Sequence, residues 1–110
     1  MSSQTAVSIF MGSKSDLPVV QAAADTLAEF DISYNMYILS AHRTPEEVVK
    51  TIKESEQNGV KVFIAAAGGA AHLPGVVAAK TLLPVLGVPI PSSTFVNGMD
   101  ALLSIVQMPA

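Results

Sequence analysis

The run Val60-Lys61-Val62-Phe63-Ile64-Ala65-Ala66-Ala67 restricts the fold more than any other stretch of the chain. Every residue in it but Lys61 is apolar and nothing alternates, so a strand built from it has no face to turn to water. Such a strand is covered on both sides, which is the situation of a parallel sheet lying between layers of helices. The sequence on either side must then supply helical crossovers.

It does so in order. Val7-Ser8-Ile9-Phe10-Met11 is a short β-rich run stopped by Gly12, and from Leu17 to Phe30 the apolar residues at 17, 20, 24, 27 and 28 share one helix face. Ser15 or Asp16 is placed to cap that helix, and Pro18 is acceptable in its first turn. Ile32 to Leu39 predicts a strand covered more on one face than the other, and hence an edge position in the sheet. Thr44-Pro45-Glu46-Glu47 predicts a helix start, with Thr44 as N-cap, Pro45 in the first position and Glu47 three residues after the cap. That helix should run to Asn58 and end at Gly59, which is free to adopt positive φ. Val76 to Leu82 predicts a short helix, Val85 to Ile90 a strand, and Gly98 to Gln107 a last helix. Four strands alternating with four helices make an α/β domain with a parallel sheet, and right-handed crossovers gather the strand-to-helix loops at one edge.

Composition narrows what such a domain can do. The 110 residues suffice for one compact core and not for two, so 1–110 reads as a single domain. The formal charge is -3 and the few Lys and Arg are scattered, which leaves no basic stripe for a nucleic-acid backbone. Cysteine is absent, and two histidines thirty residues apart lack a metal-ligand spacing, so no metal is expected. Met1 to Thr5 is polar and no apolar run approaches the ~18 residues of a membrane span, so a cytoplasmic protein without a membrane partner is expected. Charged residues make up 14% of the chain, against ~25% in average soluble domains, which points to a homo-oligomer.

The chemistry gathers on Ser40-Ala41-His42-Arg43-Thr44-Pro45, where the chain's single arginine stands beside one of its two histidines. A permanent cation next to a group that titrates near neutral pH can hold an anionic substrate and move a proton on it. Gly12-Ser13-Lys14-Ser15-Asp16 offers hydroxyls and free N–H groups at a helix start, a way of holding phosphate, while its carboxylate suits a ribose hydroxyl pair better. Simple helix capping is the structural alternative for that loop. Arg43 can hold the phosphate as a bidentate cation, Ser40 and Ala41 can meet a heterocycle, and His42 can reach its ring. The small residues of Gly68-Gly69-Ala70-Ala71-His72-Leu73-Pro74-Gly75 allow a flat ligand, or equally a neighbouring helix, to lie against bare backbone. His72 is the weaker of the two histidines, with a hydrogen-bonded structural role as the alternative to catalysis.

Taken together, these three motifs closely resemble the bacterial class I PurE family, N5-carboxyaminoimidazole ribonucleotide mutase. The likeness runs from Thr5 to Pro109 and includes Ala79-Lys80-Thr81-Leu82, Val85-Leu86-Gly87-Val88-Pro89 and Ser104-Ile105-Val106-Gln107-Met108-Pro109. The animal-type relatives that use free carbon dioxide differ in the second and third motifs, so the likeness is to the mutase branch. It implies a flavodoxin-like three-layer sandwich, no metal, no nucleotide cofactor, and a homo-octamer with sites at subunit junctions. By the same resemblance Ser13 and Arg43 bind the 5′-phosphate, Asp16 the ribose, and Ser40, Ala41, Ala67 and Gly68 the aminoimidazole and its carboxylate. His42 matches the general acid and base, and the implied substrates are aminoimidazole ribonucleotide and its carboxylated forms. Family members continue past Met108-Pro109 with another strand and a long terminal helix, about a quarter of the usual chain, so an uncovered strand edge is expected here.

Two other readings compete. One is a non-catalytic nucleotide- or phosphate-binding module that keeps the loops without the turnover. The other is a flavin carrier, which the lack of Trp and the absence of aromatics from these loops argue against.

Overall fold

The computed structural model describes residues 5–68, 72–91 and 99–106. Its elements follow the expected alternation: β1 (Val7–Met11), a short 3-10 turn (Lys14–Asp16), α1 (Leu17–Glu29), β2 (Tyr34–Ile38), α2 (Pro45–Gln57), β3 (Val62–Gly68), α3 (Leu73–Ala79), β4 (Val85–Ile90) and α4 (Met99–Val106). All pairings are parallel and the strand order is β2-β1-β3-β4, the beginning of the flavodoxin-like order 2-1-3-4-5. β2 holds an edge, as its mixed burial requires, and β1 and β3 lie at the centre.

Alternation along β1 divides two cores. Val7, Ile9 and Met11 face Val20 and Ala24 of α1, while Phe10 faces Val48 and Ile52 of α2 and Leu73 and Val77 of α3. Phe10 also packs against Phe63 and, edge-on, Tyr37, each at 5.6 Å between ring centres. A Cβ added to Gly87 would lie 2.9 Å from Ile105 and 3.4 Å from Pro74, which places α4 on the same side of the sheet as α3. The domain is therefore helix, sheet and helix in three layers. Each fully buried large side chain contributes ~1.5–3 kcal/mol by leaving water.

Ser8 is the polar residue in β1 and is 1% exposed, so its hydroxyl needs a partner inside the protein. It finds one in Ser55 of α2, 2.8 Å away and also buried.

Both long helices end in the same device. After α2, Gly59 takes φ 87°, while its N–H bonds to the Glu56 carbonyl and that of Val60 to the Ser55 carbonyl. After α1, Asp31 takes φ 55°, with its N–H on Ala28 and that of Ile32 on Leu27. Aspartate tolerates this left-handed backbone less well than glycine does.

Three local expectations need correction. The third helix spans Leu73–Ala79 rather than Val76 to Leu82. Pro74 fits its first turn, and beyond Lys80 the Thr81 hydroxyl turns to Glu56 Oε2 (2.6 Å) and accepts from the Leu83 N–H (3.2 Å), which ends the helical run. Thr44 is the N-cap of α2 in position, but its side chain makes no capping bond. At the first helix, Asp16 caps in position only, and it is Ser13 whose side chain caps the 3-10 turn, accepting from the Ser15 N–H.

Asp31→Gly should raise stability by about 0.5–1 kcal/mol and Gly59→Ala should lower it by about 1 kcal/mol, read as opposite shifts of the urea midpoint. Equal effects of the two would count against the left-handed caps. Ser8→Ala should cost about 1–3 kcal/mol, because it strands the Ser55 hydroxyl, and adding Ser55→Ala should recover part of that loss.

Candidate active site

The three loops leave the carboxyl ends of β1, β2 and β3, so in a parallel sheet they share one rim. β1 sends the chain to β2 on one side and is flanked by β3 on the other, and the loops part between them. There a pocket of about 250 Å³ opens. Gly12, Ser13 and Asp16 line it from the first loop, Ser40, Ala41 and His42 from the second, and Ala67, Gly68, His72 and Leu73 from the end of β3 and the start of α3. Gly69, Ala70 and Ala71 of the third motif lie outside the described residues.

The second loop is held by its own hydroxyls. Ser40 Oγ accepts from the N–H groups of His42 (3.3 Å) and Arg43 (3.0 Å), while Thr44 Oγ1 accepts from the Ser40 N–H (3.0 Å) and donates to the Ser40 carbonyl (3.1 Å). Thr44 thus ties the turn that presents His42, which explains why its side chain does not cap α2. In the first loop Ser13 and Ser15 share a hydroxyl hydrogen bond of 2.9 Å.

Asp16 is 9% exposed, and burial pushes its carboxyl above the ordinary 3.8, with the backbone N–H groups of Ser13 and Gly12 pulling the other way. It is a desolvated carboxyl on the pocket wall, suited to hydroxyl partners.

His42 and His72, thirty positions apart, meet here. His42 Nε2 lies 2.9 Å from His72 Nδ1, with the rings edge to face at 4.9 Å between centres. The sequence favours His42 over His72; the signal that raises His72 is its place just past the β3 run, on the rim where His42 follows β2. Gly12 and Leu73, which belong to the first and third motifs but have no individual role in the sequence reading, also line the pocket.

Arg43 does not join this lining. It borders an adjoining concavity of about 360 Å³ with Thr44, Pro45, Glu46 and Glu47. Another concavity, about 580 Å³, lies at the opposite end of β3 and β4 beside Val60, Lys61 and Leu83, out of reach of all three loops. Among the described residues no three of His, Asp and Glu gather to hold a metal ion.

The family model described as AIR carboxylase matches residues 6–110. The chain belongs to this family. Proteins named N5-carboxyaminoimidazole ribonucleotide mutase match it from Pyrococcus horikoshii, 58% identical over 104 residues, and from Thermotoga maritima, 58% over 103. Each match covers 94% of this chain and 58% or 60% of the relative. The Haemophilus influenzae protein of the same name is 51% identical over 109 residues, with 99% of this chain and 66% of the relative covered. The crystal structure of Treponema denticola PurE superposes with a TM-score of 0.87 at 36% identity, over 96% of this chain and 66% of that one. The chain therefore spans about three-fifths to two-thirds of these relatives' length, so the part outside the match is larger than the quarter expected.

The raised carboxyl of Asp16 has a consequence for stability. Below pH 3.8 the group is neutral in the folded and unfolded chain alike. As pH rises from 3.8 through the raised value, the unfolded chain ionises first and the fold loses stability, levelling off above that interval. Asp16→Asn should therefore gain stability relative to the parent across this interval in urea unfolding followed against pH. A difference that does not vary with pH would contradict a desolvated carboxyl.

Proposed function

We propose that this chain carries the substrate-binding and proton-transfer parts of an N5-carboxyaminoimidazole ribonucleotide mutase of purine biosynthesis. The observation that carries the reading is His42 on the wall of a pocket shared by all three loops, in a chain more than half identical to relatives with that name. The reaction moves a carboxyl group from the exocyclic nitrogen to a ring carbon of aminoimidazole ribonucleotide. His42 protonates the carbamate nitrogen as its bond to the carboxyl carbon breaks, which releases carbon dioxide into the pocket. The ring carbon then attacks the carbon dioxide, and His42 takes the proton that this carbon gives up. One imidazole can serve both steps because it is acid and base near neutral pH.

Ser40, Ala41, Ala67 and Gly68 form the wall for the aminoimidazole and its carboxylate, and Asp16 meets the ribose hydroxyls. Ser13 and the start of the 3-10 turn face the phosphate. Arg43 borders the adjoining concavity, so the phosphate it anchors projects past the rim of the 250 Å³ pocket. Exposed Leu82, Leu86 and Val106 support a homo-oligomer, the family likeness suggests an octamer with sites at subunit junctions, and a soluble nucleotide substrate fits work in the cytoplasm. The exposure of His42 also favours a second reading, a nucleotide-binding module without turnover, since an open site cannot confine carbon dioxide.

His42→Asn should lower conversion of the carbamate to the carbon-carboxylated nucleotide by ~10²-fold or more while aminoimidazole ribonucleotide still binds by calorimetry. Unchanged turnover in the variant would remove His42 from the chemistry. Binding without turnover by the parent chain would favour the module.

A further inference from the structure

The turn that carries His42 and Arg43 is closed on itself by one side chain. Thr44 Oγ1 accepts from the Ser40 N–H at 3.0 Å and donates to the Ser40 carbonyl at 3.1 Å, while the Thr44 N–H reaches the same carbonyl at 2.9 Å. Ser40 is gripped at both of its backbone polar groups, and its hydroxyl in turn accepts from the N–H groups of His42 and Arg43. The N–H groups of Ser40, His42, Arg43 and Thr44 are therefore all engaged within the turn; that of Ala41 has no partner among the described residues, and Ala41 lines the pocket. Both ends of the turn are fastened to the frame of the domain. Leu39, just before it, donates to the Met11 carbonyl of β1 at 2.9 Å, and the Thr44 carbonyl accepts from Val48 at 3.1 Å, the bond that opens α2. Val48 and Ile52 of that helix are fully buried. The helix has its own start signals, with Pro45 in its first turn and Glu46 and Glu47 at its positive end, and the Thr44 side chain makes no capping bond. Its hydroxyl serves the turn instead.

We propose that Thr44 is a positioning residue for the reaction: acting through Ser40, it holds the turn in the shape that sends His42 to the pocket of about 250 Å³ and its neighbour Arg43 to the adjoining concavity. The inference rests on the reading of His42 as acid and base and of Arg43 as phosphate anchor. Two residues adjacent in sequence can act on opposite ends of one nucleotide only if their side chains diverge, and the backbone of residues 40–44 sets that divergence. The tie needs a hydroxyl, because one atom must accept from an N–H and donate to a carbonyl at the same time. Valine has nearly the shape of threonine and does neither, whereas serine does both. A displacement of about 1 Å at a reacting group can cost ~10²-fold in rate, so a side chain that touches no substrate can still carry a large share of the catalysis.

The test compares Thr44→Val with Thr44→Ser. Thr44→Val should lower kcat for the interconversion roughly ten- to a hundredfold and raise KM for the carbamate nucleotide, since the turn places both the base and the anchor, and Thr44→Ser should recover most of both losses. Rates are taken per folded chain, from urea unfolding run in parallel, so a merely structural role for Thr44 leaves kcat and KM at their parent values. Amide exchange followed by NMR should show the Ser40 N–H exchanging faster in Thr44→Val and at close to the parent rate in Thr44→Ser. Parent-like kcat and KM in Thr44→Val, or a loss that Thr44→Ser shares in full, would overturn the proposal. If the parent chain has no turnover, the mutase reading fails by itself. Exchange and calorimetry with aminoimidazole ribonucleotide then decide the tie: faster Ser40 exchange with weaker binding in Thr44→Val supports it, and unchanged exchange or unchanged affinity refutes it.

Discussion

The pairing of β1 with β3 is the contact on which the rest of the structure depends. Val7 to Met11 lies in register with Val62 to Ala66, and all of β1 is buried. Because the strands run parallel, their carboxyl ends coincide, and the Gly12 N–H still reaches the Ala66 carbonyl at 3.3 Å where the first loop departs. The chain then leaves β1 for the far side of the sheet, and among the described residues a pocket stays open between that loop and the end of β3. The pocket is what remains when two buried strands end together and their helices lie on opposite faces.

Polar groups are admitted to this apolar frame only where they are matched. Ser8 and Ser55 answer each other in the core, and among the described residues no buried side-chain nitrogen or oxygen lacks a hydrogen bond. At the rim the same economy makes the site. Ser40 and Thr44 use their hydroxyls to lock the turn that carries His42, so its backbone is organised before any ligand arrives. Asp16 is matched as well, by the backbone N–H groups of Ser13 and Gly12, but burial still raises its carboxyl above the ordinary value.

How much was legible beforehand follows from whether the cause is local. The burial of β3, the edge position of β2, the face of α1 and the glycine stop after α2 are each written in short-range periodicity or in one residue's backbone freedom, and the structure agrees with them. The start of α3 and the side-chain partner of Thr44 were misjudged because each depends on competition. Thr44 can cap its helix or tie the preceding turn, and the geometry of the loop decides for the turn. Asp31 gave no sign of a left-handed cap, since an aspartate in that conformation is selected by the bonds around it.

The linear order of residues by itself determined the α/β class, the parallel sheet and the three loops that carry the chemistry, because apolar spacing and helix starts are properties of neighbours along the chain. Only the tertiary structure decided that His72 hydrogen-bonds His42, that Asp16 is desolvated on the pocket wall, and that Arg43 borders a different concavity from its neighbour. These are matters of which way side chains turn where separate loops converge. Distance and burial between segments thirty residues apart are set by packing the sheet and its helices, and no local pattern encodes them.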